Sequence, residues 1–363
     1  MFNKIDLREL AQISGPERAF VSLYLAAPES LNGLKGRLDT IRALLSESPA
    51  EAEHFEENLK LVETWLAEHT WTSEGVCLFV CWALDFVRAH PLSVAVPDMI
   101  WVDSSPYIRP LAELQDEYEN FAVVAADNSA SRIFFVTSAR PDEDARIKGD
   151  IKNNVKKGGW SQKRYERRRS NELLHYAKEI VEVLAELDQK ETFDRLFLVG
   201  SQETMLEIEG ALTAPLAAKL AGKQNIDLGP SDEPIFEAAF GLHATAEREA
   251  EARLWDKIKD EYCRGGLAVT GPEEVLKAAA VGRVEKIAVT RDAKLPGVRC
   301  RDCENLFAGA LDQCKAYGSS DVFAVDLVNE LVELAALTSA EADFVDPIPG
   351  LSQAGEVAAL LRY

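Results

Sequence analysis

Apolar positions recur along this chain with two spacings, and the spacings sort it into strands and helices. RAFVSLYLAA, residues 18–27, alternates apolar and polar positions and predicts a strand. LKGRLDTIRALL (34–45) and AEHFEENLKLVETWLAEH (52–69) carry the three-and-four spacing of helices, with a break at Ser48-Pro49. GVCLFVCWALDFVRA and HPLSVAVP predict further strands, and YIRPLAELQDEYE leads into the next segment. NFAVVAADNSASRIFFVTS predicts two short strands around a turn at Asn128. A long helix follows, then DRLFLVG as a strand ending at Gly200, then SQETMLEIEGAL and TAPLAAKLA as helices. From Glu247 onward a charged helix precedes GPEEVLKAAAVGRVEKIAVT, a helix carried into a strand over residues 286–290. DLVNELVELAALT is a helix, and EADFV and VAALLRY are strands. The class is α/β. The segmentation predicts an N-terminal α/β domain over residues 1–120, a central domain over 121–245 and a C-terminal α/β/α domain over 246–363.

Composition narrows the setting. Nearly half of the 363 residues are apolar, enough for full-sized cores, yet no apolar run reaches membrane-spanning length. The opening MFNKIDLREL has no apolar signal core, so a soluble cytoplasmic protein is expected, with no membrane partner. Six thinly spread cysteines do not form a disulfide framework, and Cys77 and Cys81 sit in an apolar stretch that predicts buried free thiols. Cys300 and Cys303 have the two-residue gap of a zinc knuckle and Cys314 is near. A fourth ligand is missing, because Cys263 and His243 lie far upstream, so no metal and no cofactor are expected.

Charge changes the picture most. The net charge of −21 argues against general nucleic-acid binding. Between Lys152 and Arg169, however, eight Lys or Arg stand against Glu166 alone. That window is +7, which leaves −28 for the rest of the chain. A patch of one sign on a body of the other attracts an anion to one place and holds the remainder away.

From Lys152 through Leu187 the sequence reads KNNVKKGGWSQKRYERRRSNELLHYAKEIVEVLAEL. From Leu173 the spacing is helical: Leu173, Ala177, Ile180, Leu184 and Leu187 form a stripe, with Leu174 and Val181 beside it. His175, on the same stretch, reads as a packing or surface residue. Before Leu173 the stripe vanishes, and Lys163, Arg164, Arg167, Arg168 and Arg169 surround the first turns. Ser161 is the expected N-cap. Cations at a helix start oppose the helix dipole, so their clustering points to a polyphosphate partner. Gly158 and Gly159 let the main chain approach a ligand closely, Trp160 can stack on a base, and Gln162 both donates and accepts. Lys156 and Lys157 precede them. With no carboxylate, histidine or cysteine in the loop, chemistry there would rest on positioning and hydrogen bonding.

GGWSQKRYERRRSNE, residues 158–172, resembles the diglycine loop of the archaeo-eukaryotic peptide-chain release factor and Pelota-like superfamily, and most of all its bacterial branch. Gly158, Gly159, Ser161, Arg164, Tyr165 and Arg167 match at fixed spacing. Standard members carry Gly-Gly-Gln; here Trp160 follows the glycines and Gln162 comes after the serine. The Gly-Gly-x-Ser-Gln order resembles the eukaryotic factor that frees nascent chains from obstructed large subunits. VSLYLA, DRLFLVG and the final DLVNELVELAALT…VAALLRY extend the likeness along the chain.

The resemblance implies a three-domain, tRNA-like, monomeric architecture. Its central domain would be RNase H-like and its C-terminal domain a ribosomal-protein-like α/β/α sandwich. The family's codon-reading Asn-Ile-Lys-Ser loop is absent, so rescue of stalled ribosomes or large subunits is expected rather than codon-specific termination. In that reading Gly158, Gly159 and Gln162 hydrolyse peptidyl-tRNA by orienting water and stabilising the oxyanion. Lys156, Lys157, Trp160, Ser161, Lys163, Arg164, Arg167, Arg168 and Arg169 hold RNA. The partners implied are rRNA, peptidyl-tRNA and a translational GTPase. The alternative is a ribosome-binding hibernation or stalling-recognition factor without hydrolysis, which Trp160 motivates. A ribosome-independent RNA-end or tRNA-processing enzyme is a third reading.

Overall fold

The structure, a computed structural model, describes residues 5–71, 73–117, 120–137, 140–148, 160–190, 193–316 and 318–363. In chain order the first elements are α1 (Leu7–Ala11), β1 (Phe20–Leu25), α2 (Lys35–Leu45), α3 (Pro49–Glu68), β2 (Gly75–Cys81), β3 (Phe86–Leu92), β4 (Met99–Asp103) and α4 (Arg109–Glu117). Next come β5 (Phe121–Ala126), β6 (Ala130–Thr137), β7 (Arg140–Lys148), α5 (Trp160–Lys190), β8 (Arg195–Gly200), α6 (Gln202–Ala211), α7 (Ala214–Lys219), β9 (Leu220–Asn225) and α8 (Glu233–Cys263). The last are β10 (Ala268–Thr270), α9 (Pro272–Ala280), β11 (Val284–Thr290), β12 (Pro296–Cys300), β13 (Leu306–Ala308), β14 (Val322–Asp326), α10 (Leu327–Thr338), β15 (Glu341–Val345), α11 (Pro349–Gln353) and β16 (Val357–Leu361). The fold is mixed α/β with several sheets. It divides into two compact units, one made of residues 1–117 and 251–363, the other of 118–250.

Several elements differ from the sequence expectation, each at a sheet edge or a turn. The run 75–89 breaks at a short 3-10 turn after Cys81 before resuming as β3. Strand β4 is absent from the sequence reading; it pairs with β1 at the sheet edge. Strand β7, charged and led by a proline position, is a third strand of the β5–β6 meander. Leu220 and Ala221, read as helical, open the edge strand β9 beside β8.

In the discontinuous unit, the N-terminal sheet runs β3-β2-β1-β4 with antiparallel neighbours. Every residue of β1 and β2 is buried. Val21, Leu23, Val76 and Leu78 pack with Phe55, Leu59 and Val62 of α3. Tyr24 and Phe79 face the other way, into a core shared with Val275, Val328, Leu331 and Phe344 of the C-terminal segment. That segment contributes a sheet ordered β10-β16-β11-β15 and a small one ordered β13-β12-β14.

A buried polar network joins these two segments of chain. Asn329 is 4% exposed. Its Oδ1 accepts the backbone N–H groups of Ile108 (2.9 Å) and Arg109 (3.0 Å), and its Nδ2 donates to Glu333 (2.8 Å). Two donors at the start of α4, which a helix cannot satisfy from within, are thereby capped by a side chain 221 residues away. Arg109 donates to Glu113, Asp326 and the Ala293 carbonyl. Asp326 also caps α10 by accepting from the Val328 amide. Tyr107 donates to Asp326, and Ser105 donates to Glu333.

Glu330 and Glu333 lie on α10 within this network, and Arg299 bonds Glu330. Burial pushes both acids above the ordinary carboxylate value of 4.5; Arg299 pulls Glu330 back down, whereas Glu330 raises Glu333 further. The folded protein therefore keeps protons that the unfolded chain has lost. The stability they contribute is complete below the unfolded value and is lost as pH rises through the folded ones. Thermal unfolding should accordingly show stability falling by on the order of 1–3 kcal/mol between about pH 5 and about pH 8. Glu333→Gln should flatten that slope.

The other unit, residues 118–250, is built on the sheet β7-β6-β5-β8-β9, in which β5, β8 and β9 run parallel and β5–β6–β7 is an antiparallel meander. Alternate residues of β5 serve two cores. Ala122, Val124 and Ala126 meet α5 and α6, while Phe121, Val123 and Ala125 meet Ile235, Ala238 and Ala239 of α8.

Gly200 ends β8 at φ +127°, and a Cβ there would lie 2.1 Å from the Ala126 carbonyl oxygen. That oxygen accepts the Ser201 amide at 3.0 Å, and Ser201 in turn caps α6. Gly200→Ala should cost roughly 2–4 kcal/mol in denaturant unfolding. An unchanged midpoint would contradict this close approach.

Candidate nucleic-acid interface

The long helix α5 spans 31 residues and is anchored along its later part. Leu173, Ala177, Ile180 and Leu184 are all at most 1% exposed and pack on Ala122, Val124, Leu196 and Leu198 of the sheet and on Ile208 of α6. This is the expected stripe, widened by Tyr176 and Val181. Burying side chains of this size contributes about 1.5–3 kcal/mol each. Leu187 is half-buried, and Leu174 is 37% exposed, so it belongs to the outer face. Burial pushes the Tyr176 hydroxyl up to about 12, which makes it a neutral packing group.

Residues 160–171 continue the same helix for about 18 Å before the stripe begins. Trp160, Ser161, Gln162, Lys163, Arg164, Arg167, Arg168 and Arg169 all fall on this part. Because the helix starts at Trp160, Ser161 stands in its first turn and is not the N-cap expected from the sequence. Helical spacing puts Lys163 with Arg167, and Arg164 with Arg168, one turn apart. Like charges so placed weaken a helix by a few tenths of a kcal/mol per pair, and cations in its first turns oppose its dipole. The sequence thus holds against its local electrostatic preference where an anion would reverse the sign. Lys152, Lys156, Lys157, Gly158 and Gly159 lie outside the described residues.

The turn from β5 to β6 is fixed by Asp127, which accepts from the Ser129 hydroxyl and from the Ser129 and Ala130 amides. Burial pushes its carboxyl up, but these bonds outweigh it and hold the group below its usual range. Thr204 bridges Ser201 and Asn128 nearby. These contacts are structural, because each polar group already has a protein partner. His175 is exposed. His243 stacks on Phe121 (4.7 Å), and burial lowers its pKa to about 4, so it stays neutral at physiological pH.

In the discontinuous unit, a shallow cleft is lined by Arg18, Arg37, Leu44 and Trp101. Arg18 pairs with Glu51 at 2.6 Å, and Arg37 donates to the Ile100 carbonyl, which leaves little free charge for a ligand. The sulfurs of Cys300, Cys303 and Cys314 do come together, all within 4.8 Å of one another. Cys77 and Cys81 are buried free thiols, as expected. No described helix is long and apolar enough to cross a membrane.

Comparison with known proteins gives these features a context. The family model "Bacterial archaeo-eukaryotic release factor family 10" matches residues 106–243, which include the basic segment. Peptide chain release factor subunit 1 of Methanopyrus kandleri is 27% identical over 208 residues, covering 55% of this chain and 51% of that protein. The chain thus spans about half the length of this relative. The same-named protein of Thermococcus sibiricus is 23% identical over an alignment covering 99% of this chain and 97% of that protein. Among solved structures, Saccharomyces cerevisiae Dom34, a translation termination-like factor involved in RNA quality control, is 12% identical with a TM-score of 0.44. It covers 80% of this chain and 79% of that one. The weight of the comparison lies in the sequence matches. These support membership in the archaeo-eukaryotic release-factor and Pelota superfamily. The curated relatives are archaeal, and the likeness reaches the superfamily without singling out a branch of it.

The separation of anchor from charge gives a measurable expectation. Replacing Arg164, Arg167 and Arg168 together by Gln should leave the unfolding free energy within about 0.5 kcal/mol of the parent. The same variant should lower the slope of log affinity against log salt for structured RNA by about 2–3. Anisotropy titrations over a salt series check the second number.

Proposed function

We propose that this chain is a ribosome-binding factor that recognises and occupies stalled ribosomes or large subunits, with residues 152–169 against the RNA backbone. The observation that carries the reading is a +7 segment, much of it at the start of a helix anchored along its later part, in a chain that otherwise sums to −28 and aligns with release factors along nearly its whole length. Polyphosphate is the partner that this charge pattern suits. The reading takes residues 1–120, 121–245 and 246–363 as three domains, the central one RNase H-like and the last a ribosomal-protein-like sandwich. It also takes the chain as a cytoplasmic monomer whose C-terminal part meets a translational GTPase.

Helix geometry supports occupancy over hydrolysis. Positions 160 and 162 both lie on α5, about 200° apart around its axis. Position 162 therefore stands on a different side of the helix from position 160, where standard members carry their glutamine. Hydrolysis of peptidyl-tRNA is the second reading. It is favoured by Gly158 and Gly159 immediately before the helix and by the presence of a glutamine in its first turn. There the loop backbone and Gln162 would orient water at the ester and stabilise the developing oxyanion.

One assay separates the two. Stalled whole ribosomes and split large subunits carrying labelled peptidyl-tRNA are incubated with the parent chain, Gly159→Ala and Gln162→Ala, and bound protein and released peptide are read in the same tubes. The expected result is salt-sensitive binding without release. Release that both variants lose would replace occupancy by hydrolysis. Failure to sediment with ribosomes at low salt would remove both readings.

A further inference from the structure

Helix α5 turns one face to solvent along its anchored part. Leu174, His175, Lys178, Glu179, Glu182 and Glu186 are all exposed. At roughly 100° per residue they lie about 90–170° around the axis from the mean direction of Leu173, Ala177, Ile180 and Leu184, which pack on the sheet. Continued toward the start of the helix, the same face takes in positions 160, 164, 167 and 168, where the sequence places Trp160, Arg164, Arg167 and Arg168.

The exposed charges on this face are sorted. Arginines come first, Lys178 is the last cation, and the acids Glu179, Glu182 and Glu186 follow. Glu172, between the arginines and Lys178, is half-buried at the flank and already has a partner. Cations first and acids last is the reverse of what the helix dipole favours at the two ends. Lys178 stands one turn before Glu182, the weaker order for an ion pair, and among the described residues it makes none. Packing does not account for this order, because the face is turned away from the core. Tyr176, Ala177 and Ile180 hold these turns on the sheet, so Lys178 offers its charge from a fixed frame and loses little freedom on meeting a ligand.

We propose that α5 meets RNA lengthwise: one run of sugar-phosphate backbone lies along this face from position 160 to Lys178, and Glu179, Glu182 and Glu186 end the contact. The inference rests on the ribosome-binding reading and carries its contact from residues 152–169 onto the anchored half of the helix. The run is about 27 Å long. Lys178 is its last phosphate contact, with His175 beside it. Beyond them the acids repel phosphates, which gives the contact a fixed end and a fixed direction. A tip-first approach would leave Lys178 about 27 Å from the RNA, several times the screening length of about 8 Å at physiological salt, and its charge would not be felt.

The test titrates the fluorescently labelled full chain with purified empty ribosomes over a salt series. Lys178→Gln should flatten the slope of log affinity against log salt by about 0.7–0.9, the share of one phosphate, and weaken binding roughly fivefold at 0.1 M salt. Glu182→Lys should steepen the slope by a similar amount. Lys223→Gln, the same change of charge on the edge strand β9, should alter neither quantity. All three side chains are exposed, so the thermal midpoint should stay where it is in each variant. Benzoylphenylalanine in place of His175 should photo-crosslink to RNA, and in place of Glu186 it should not. An unchanged slope in Lys178→Gln or in Glu182→Lys, an equal loss in Lys223→Gln, or equal crosslinking from both positions would each overturn the lengthwise contact. Those results would leave tip-first binding by residues 152–169 standing. Failure of the parent itself to bind ribosomes would remove that reading, and this inference with it.

Discussion

The fold of the discontinuous unit depends on one side chain, Asn329. Its carbonyl oxygen closes the start of α4 and its amide fixes Glu333, so a helix of the N-terminal segment ends on a helix of the C-terminal segment. Water cannot replace it, because the groups it serves are buried, and an unpartnered buried amide costs about 1–3 kcal/mol. Arg109, Asp326 and Tyr107 add charge-assisted bonds beside it, Asp326 accepting from both Arg109 and Tyr107. The apolar core of Tyr24, Phe79, Val328 and Leu331 supplies the area; the polar network supplies the register.

The other unit solves a different problem with one long helix. Its later turns are committed to the sheet, and its first turns carry a run of positive charge. On the proposed reading, stability and recognition are assigned to different parts of a single element. Such a division would let an acidic chain address a polyanion: the attraction would be confined to one short segment, and the repulsion of the rest would restrict the ways it can approach.

What the sequence disclosed and what it hid follow from where free energy is local. β1, β2 and β5 are buried on both faces, so their apolar runs stand out, and the stripe from Leu173 to Leu184 is legible because packing on one face forces its period. β4, β7 and β9 were not legible. They are edge strands, defined by pairing with distant residues, and their charged or small side chains (Asp103, Glu143, Lys223) are those that edges tolerate. The basic segment could be read from charge alone, but where its helix begins could not. The CRDC spacing was plain, yet the approach of Cys314 needed the β12–β14 pairing to bring it home. The Asn329 network left no local trace, because both of its halves look like ordinary helix ends.

The unit made of residues 1–117 and 251–363 is interrupted by a continuous one, and this has a consequence for the order in which the chain can fold as it is made. When residue 117 leaves the tunnel, the face bearing Tyr24 and Phe79 has no cover, and the first amides of α4 have no acceptor. Residues 118–250 emerge next and are complete within themselves. At about 5–20 residues per second, Asn329 follows Ile108 by roughly 10–45 s. During that interval the nascent N-terminal sheet is a half-built surface that only the far end of the same polypeptide can finish. A message cut short before codon 329 would yield a chain with one finished unit and one that never closes.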